Sequence, residues 1–253
     1  MAAENYTLGR GELHFSLFKT GTNTPAGFRY LGITPEFGLT INTEYLDLFN
    51  SDHGIREKVQ SVPVETTRQG NFSCVDIEMD NLANFFFGSK STIAQTATTG
   101  DTETFTDVIQ GMSYQIGLTD ATPTGVHSVS NVAITGSVLG TDYLVDATLG
   151  IVTIVAGGNI ASGDDVTITY DRAAGSIDQV ISGTEPVEGT LRFIADNPQG
   201  ANLDYFMPRV KLSPNGDFSL KTEEWQTIPF NLEILKLTGK EAIYINGRPY
   251  TGS

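Results

Sequence analysis

The sequence lacks the features that would suggest a disulfide-rich or membrane-spanning protein. Its 253 residues include one cysteine, Cys74, so no disulfide can form within the chain. It contains no apolar run of about 18 residues, the length that a membrane-spanning helix requires. The first residues also lack the basic segment followed by an apolar segment that marks a signal peptide. We therefore expect a protein that is assembled in a cytoplasm and is not inserted into a membrane.

Motifs that commonly carry catalysis or cofactor binding are also lacking. Neither glycine-rich phosphate loop, GxGxxG or GxxxxGK[ST], occurs, and neither does GxSxG or HExxH. The three histidines, His14, His53 and His127, lie far apart in the sequence, in polar surroundings. A nucleophile pair of Cys74 and His53 has no orienting motif to support it. We expect no enzymatic activity, no cofactor and no metal site.

Positive charge is scarce in the middle of the chain. The formal net charge is −15, and residues 71–190 contribute −13 of it, from fifteen acidic residues against Lys90 and Arg172. Residues 1–70 contribute −2 and residues 191–253 are neutral. An acidic surface repels nucleic-acid phosphates, so sequence-reading DNA binding is not expected. Such a surface would suit a channel through which a polyanion passes without adhering.

The sequence does contain long alternating segments, and the clearest lies between residues 34 and 88. Apolar and polar residues alternate up to Phe49, a polar cluster interrupts the pattern at residues 50–54, and alternation resumes over residues 59–67. This pattern predicts a long β-hairpin with a solvated tip.

The residues that follow the hairpin predict a further strand and a helix. Arg68, Gln69 and Gly70 predict a second turn, which leads into a strand over residues 71–79. Asp80 is the predicted N-cap of a short helix over residues 81–87 that ends at Gly88. The apolar face of this helix is expected to pack on the sheet through Leu82, Phe85, Phe86 and Phe87.

The rest of the chain also indicates strands and divides into an outer and an inner part. Alternation predicts outer strands at residues 12–19, 187–196, 203–212, 226–237 and 242–246. We interpret residues 1–96 and 173–253 as one discontinuous β-domain. Residues 97–172 contain short strands with frequent turns, and predict a β-meander insertion, one interpretation of which is an external Ig-like sandwich.

At the hairpin the sequence resembles the major tail tube proteins of long-tailed, siphovirus-type bacteriophages. The run from Arg29 to Gly88, RYLGITPEFG through to NLANFFFG, carries the more specific part of the resemblance. The segment GTDYLVDATLGIVTIVAGGNIASGDDVTITYD is also similar to one found in such proteins. Ile33 departs from the pattern, in which a polar residue such as Asn is expected. The matching residues of the first run are Gly32, Thr34, Pro35, Glu36, Glu44, Leu46, Asp47, Ser51, Gly54, Arg56, Glu57, Lys58, Arg68, Gly70, Phe72, Asn81, Leu82 and Phe86.

The resemblance implies a mainly β fold, a sandwich or barrel-like domain with one short packed helix, a long hairpin and a β-rich insertion. It implies that six subunits close a ring, and that rings stack into a tube of the virion tail. Such a tube encloses a tape-measure protein, joins tail terminator and distal tail proteins, and conducts double-stranded DNA into the host without sequence-specific binding.

Two sets of residues follow from this interpretation. The resemblance implies that the hairpin tip makes contacts between subunits and between rings, through Asn50, Ser51, Asp52, His53, Gly54, Ile55, Arg56, Glu57 and Lys58. The candidate acids that face the lumen are Glu65, Asp76, Glu78, Glu188 and Asp204.

A second function remains compatible with the residues. A monomeric Ig-like β-protein could use residues 112–172 to bind a receptor or a carbohydrate. Whether that segment can be removed without loss of assembly would distinguish the two hypotheses.

Overall fold

A computed structural model describes residues 6–52 and 54–248. The described chain is mainly β, as predicted. Its elements in chain order are β1 (Gly11–Leu17), β2 (Arg29–Tyr30), β3 (Phe37–Asn50), β4 (Glu57–Cys74), α1 (Met79–Phe85), β5 (Ser89–Gln95), β6 (Thr98–Val108), β7 (Ser113–Gln115), β8 (Val129–Ile134), β9 (Tyr143–Asp146), β10 (Ile151–Ile154), β11 (Asp164–Arg172), β12 (Gly175–Ile181), β13 (Val187–Ala195), β14 (Asn202–Pro214), β15 (Ile228–Ile234) and β16 (Tyr244–Arg248).

The chain divides into two compact units. Unit 1 comprises Met1–Lys90 and Val180–Ser253, and unit 2 comprises Ser91–Gln179. The insertion predicted at residues 97–172 lies within unit 2. Strands β5 and β12 form a two-stranded ribbon of their own.

Unit 1 is built on one antiparallel sheet of eight strands. The strand order is β2-β1-β13-β14-β15-β4-β3. The final strand, β16, pairs with the first part of β14, whereas β15 pairs with its last part. Pro208 lies at a bulge of β14 opposite β13, where its missing N–H is tolerated.

The sheet of unit 1 curls so that its two halves share one core. Phe37 of β3 contacts Phe193 of β13, with ring centroids 5.9 Å apart, although three strands separate them in the sheet. Phe72 stacks on Phe230 at 5.1 Å between the neighbouring strands β4 and β15. Among the described residues the end strands β2 and β3 do not pair with each other, so the sheet is curled but open.

The turn predicted at residues 68–70 is wrong, because β4 runs straight through it as one strand of 18 residues. Gly70 serves close packing and not a reversal of the chain. A Cβ there would lie 2.6 Å from the carbonyl oxygen of Gly38 and 3.0 Å from the side chain of Leu39. The glycine therefore lets β4 lie between β3 and β15.

The start of the helix differs from the prediction. Glu78 is the N-cap residue, and its side chain makes no capping hydrogen bond. Asp80 is therefore not the N-cap and lies in the first turn, where negative charge is favourable beside the helix N-terminus.

The end of the helix lies close to the predicted position. Phe87 adopts a left-handed conformation with φ 52°, and the N–H of Gly88 donates to the carbonyl of Ala83 at 2.8 Å. This pattern closes the helix as a Schellman motif. Phe85 is buried and packs on the core, as predicted. Phe86 was predicted on the same buried face, but it is 41 % exposed.

Unit 2 has its own core between two three-stranded sheets. One sheet has the order β7-β10-β9 and the other the order β6-β11-β8. Both contribute to one buried cluster, whose fully enclosed members include Val108, Ile116, Val152, Ile154 and Ile168. The predicted meander is wrong, because β8 pairs with the distant β11 and not with the next strand, β9.

Candidate functional site

The hairpin of β3 and β4 extends beyond the core of unit 1. The two strands stay paired from Phe37 opposite Phe72 to Asn50 opposite Glu57, and their register shifts at two bulges. Strand β15 accompanies β4 only as far as Gln69. We call residues 41–68, with both strands and their turn, the distal ribbon.

The distal ribbon exposes an unusual amount of apolar surface. Eight large apolar side chains in it are between 46 and 78 % exposed, namely Ile41, Tyr45, Leu46, Leu48, Ile55, Val59, Val62 and Val64. Single exposed apolar residues are ordinary, but eight of them within one two-stranded ribbon are typical of an interaction surface.

The exposed apolar residues lie on both faces of the distal ribbon. Residues directly opposite each other in an antiparallel pair share a face, and so do residues two apart in a strand. Leu46 is opposite Val62, and Leu48 follows on the same face. Ile41 and Tyr45 lie on the other face. Within the described chain, neither outer edge of the distal ribbon pairs with another strand.

Polar contacts between the strands hold the tip of the distal ribbon in shape. Lys58 Nζ lies 2.6 Å from Asp47 Oδ2, and Ser61 Oγ donates to Asp47 Oδ1 at 2.6 Å. These hydrogen bonds, from Lys58 first and then Ser61, lower the pKa of Asp47. The Arg56 guanidinium lies 4.2 Å from the ring centroid of Phe49, a cation–π contact.

The other residues predicted at the tip are mainly open to solvent. Asn50, Ser51, Asp52, Gly54 and Ile55 are all exposed. The side-chain oxygen of Asn50 accepts the Asp52 N–H at 2.8 Å, which shapes the turn. His53 lies outside the described residues.

One pair in the distal ribbon is unfavourable in the isolated chain. Glu44 and Glu65 are directly opposite each other on one face, and neither has an ion-pair partner among the described residues. Like charges in such cross-strand positions destabilise a sheet.

Three of the five candidate lumen acids share one surface. The pairing registers place Glu65, Glu188 and Asp204 on the face of the main sheet that points away from the core. This face is not uniformly acidic, because Glu188 lies 2.9 Å from Arg209. That these acids face a lumen stays a prediction.

Asp204 is the most firmly held of these acids. Its carboxylate accepts hydrogen bonds from the Arg248 guanidinium, at 2.6 and 2.9 Å, and from the Ala195 N–H at 2.9 Å. The Arg248 bond, with the Ala195 bond as a lesser cause, lowers the pKa of Asp204 against the opposing effect of burial.

The remaining two acids, Asp76 and Glu78, connect the helix to the segment before β3. Asp76 Oδ2 accepts the Ile33 N–H at 3.3 Å, and Glu78 pairs with Arg29 at 3.1 Å. Asn81, fully buried, donates to the carbonyls of Leu31 and Asp76 at 3.0 Å each. These contacts give both acids a local structural role.

The acidic charge is concentrated in unit 2. Residues 91–179 contain ten acidic residues and only Arg172 as a base, which gives 1 − 10 = −9. Some of these acids are structural. The buried Asp142 carboxylate accepts the N–H groups of Asn159, at 2.8 Å, and Val138, at 2.7 Å, and these bonds lower its pKa.

The described residues contain no group of three or more His, Cys, Asp and Glu side chains arranged to hold a metal ion. Burial raises the pKa of Cys74 to about 12, so this thiol is not a nucleophile near neutral pH. Among the same residues no helix has the length and apolar character needed to cross a bilayer.

Two features were not predicted from the sequence. Trp225, in the loop between β14 and β15, is 90 % exposed, and Leu220 in the same loop is 80 % exposed. A cavity of about 510 Å³ opens near the starts of β3 and β14. The only sequence signal for the exposed Trp225 is that a single tryptophan lies in the charged segment KTEEWQT. The cavity has no local signal, because it depends on the curling of the sheet.

The fold and site define a mainly β protein of two units, the larger of which carries a long apolar ribbon that its own core does not cover. The chain belongs to the family described as Protein of unknown function UCP028589, whose model matches residues 6–244. No curated protein gave a match.

Proposed function

We propose that the protein is a structural subunit of a bacteriophage tail tube and that its distal ribbon joins copies of the same chain. The observation that carries the proposal is the ribbon itself, with apolar residues on both faces and no described partner strand at either outer edge. A two-stranded hairpin is at best marginally stable in water by itself, so its exposed surface favours burial against other chains.

The open sheet of unit 1 supports assembly into a closed structure. A sheet with free end strands offers unpaired backbone groups to other sheets, and ring closure removes such edges. Self-association of one surface with a different surface of the next copy generates rings or filaments. A tube of stacked rings combines closure within each ring with repeated contacts along the tube.

The charge of the chain fits passage of DNA through such a tube. Each copy adds a formal charge of −15, of which residues 91–179 supply −9, and an acidic wall would repel double-stranded DNA instead of binding it. Within this proposal the tube encloses a tape-measure protein in the virion and ends at tail terminator and distal tail proteins. Sequence-specific DNA contacts are not part of it.

Sedimentation velocity over a wide concentration range, together with negative-stain electron microscopy, tests the proposal. We expect hexameric rings or tubes that increase with concentration. A protein that stays strictly monomeric at every concentration would overturn the proposal and favour a monomeric binding module.

A further inference from the structure

The loop between β14 and β15, residues 215–227, presents an anchor of the kind found at protein interfaces. Phe218 fixes its base, with its ring 5.9 Å from that of Phe85. Beyond this point Leu220 and Trp225 project, 80 and 90 % exposed. Tryptophan is enriched among the few residues that dominate binding energies. We call this segment the Trp225 loop.

A mainly apolar cavity lies at another place on unit 1, beside the starts of β3 and β14. Phe37 and Phe193 form part of its wall, with Tyr205 6.1 Å from Phe193 between ring centroids. Leu39 and Leu203 also line it. We call it the mouth cavity. Its volume of about 510 Å³ lies in the range of pockets, about 300–1,000 Å³, that enclose most of a drug-sized molecule.

The charges beside these two features are complementary. Arg10 and Glu36 line the mouth cavity, and Lys221 and Glu224 flank Trp225. None of these four has an ion-pair partner among the described residues. Glu223 also lies beside Trp225, so the loop carries one base and two acids there, and the mouth cavity carries one base and one acid. Each of the two surfaces therefore offers a charge opposite to one on the other.

We propose that the Trp225 loop of one copy docks in the mouth cavity of a second copy, with Trp225 inserted, Glu224 facing Arg10 and Lys221 facing Glu36. The inference rests on the proposed self-assembly and identifies a contact separate from the distal ribbon. Because the Trp225 loop and the mouth cavity occupy different places on one chain, a copy whose cavity is filled can still offer its own Trp225 loop to the next copy. This is the geometry that builds rings and filaments.

The distal ribbon is a less suitable occupant of the mouth cavity. Its large apolar residues are spread along two paired strands, and Ile55 is the one in its turn. An indole, in contrast, buries about 150–250 Å² on a single side chain. Insertion of Ile55 is the competing outcome in the test.

Cysteine cross-linking can distinguish these contacts, because the native Cys74 is buried and does not interfere. A Glu223→Cys chain and a differently tagged Ala201→Cys chain are mixed, assembled and oxidised. Glu223 lies in the Trp225 loop, and its replacement leaves Trp225 unchanged. Ala201 lines the mouth cavity and is exposed. We expect a disulfide heterodimer of the two tags. Asp52→Cys mixed with Ala201→Cys tests the ribbon tip, and Leu118→Cys is an exposed control in unit 2.

Assembly measurements provide an independent readout. Trp225→Ala is expected to raise the concentration needed for assembly at least tenfold, with unchanged monomer unfolding because the side chain is exposed. Arg10→Glu should weaken assembly, and adding Glu224→Arg should restore it.

The outcomes separate the inference from the proposed function. Assembly that is unaffected by Trp225→Ala, or cross-linking of Asp52→Cys in place of Glu223→Cys, would overturn the docking inference and leave the tail-tube proposal standing. A chain that never assembles would overturn both.

Discussion

The root of the hairpin, residues 37–40 and 69–74, and its distal ribbon are made from the same two strands but have opposite surroundings. At the root, Phe72 and Cys74 are buried, 3 and 0 % exposed, and Phe72 stacks on Phe230. In the distal ribbon, Leu46 and Leu48 are 68 and 60 % exposed, although their residue type is equally apolar. Strand β15 pairs with β4 only at the root, where the hairpin contributes Phe72 and Cys74 to the core of unit 1.

This contrast shows that apolar alternation and burial in the monomer are separate properties. The root is ordered by packing, whereas the tip is ordered by polar contacts such as Asp47 with Lys58 and Arg56 with Phe49. Apolar residues that the core of the same chain does not bury favour contact with another molecule. Substitutions in each region should therefore affect different quantities.

The largest effect is expected from the face of the distal ribbon that carries Leu46, Leu48 and Val62. Replacing all three with Thr keeps a strong preference for strands but removes the apolar contact. Each such side chain contributes about 1.5–3 kcal/mol when buried, so assembly affinity should fall by several orders of magnitude. Sedimentation velocity of the variant and the wild type measures this loss.

The control for this triple variant is the stability of its monomer in urea. Because the three side chains are exposed in the single chain, the free energy of unfolding should change by about 0.5 kcal/mol or less per site. Normal assembly of the triple variant would show that this face is not an interface.

The root should respond in the opposite way. Phe72→Ala leaves a cavity against Phe230 and should lower the free energy of unfolding by about 3–5 kcal/mol. Phe49→Ala is the matched change in the distal ribbon and should cost about 1 kcal/mol or less, mainly through loss of the Arg56 contact. Equal losses in urea unfolding would remove the distinction between root and ribbon.

A smaller effect is expected at Asp204, which lies in the packed part of unit 1. Its lowered pKa means that the ionised carboxylate stabilises the fold, fully above the unfolded value of about 3.9 and progressively less as the pH falls through the folded value. Asp204→Asn should cost about 1.5–3 kcal/mol at pH 7. In urea unfolding, this difference from wild type should shrink progressively as the pH falls below the unfolded value of about 3.9. A difference independent of pH would exclude the ionised pair as its cause.

Prediction from the sequence succeeded where one face of a strand is buried in the chain itself. Ile228, Phe230, Leu232 and Ile234 alternate, and all four are buried on one face of β15. It failed at Gly70, because a glycine that permits close backbone approach has the same local signature as one in a turn. The pairing of β8 with β11 also had no local signal, since it depends on contacts distant in the sequence.

For the candidate site, the sequence predicted the hairpin tip from its polar cluster but not the apolar ribbon behind it. Alternation of apolar and polar residues is typical of a strand with one buried and one solvated face, yet Tyr45 and Leu46 expose apolar side chains to opposite faces. Neither the mouth cavity nor the exposure of Trp225 could be inferred, because both depend on which surfaces the curled sheet leaves open.

The smallest predicted effect concerns the like-charged pair Glu44 and Glu65 in the distal ribbon. Glu44→Gln removes the repulsion and should stabilise the monomer by about 0.2–1 kcal/mol, a gain that decreases in high salt because the pair is exposed. Asn42→Gln, one position along the same face, is a control without a charge change. If the distal ribbon lies at an interface between copies, Glu44→Gln should not strengthen assembly, because the exposed carboxylates of Glu44 and Glu65 are available to a base of the next copy. Urea unfolding and sedimentation, each at low and high salt, measure the two effects, and stronger assembly of the variant would contradict a contact between these carboxylates and a base of the next copy.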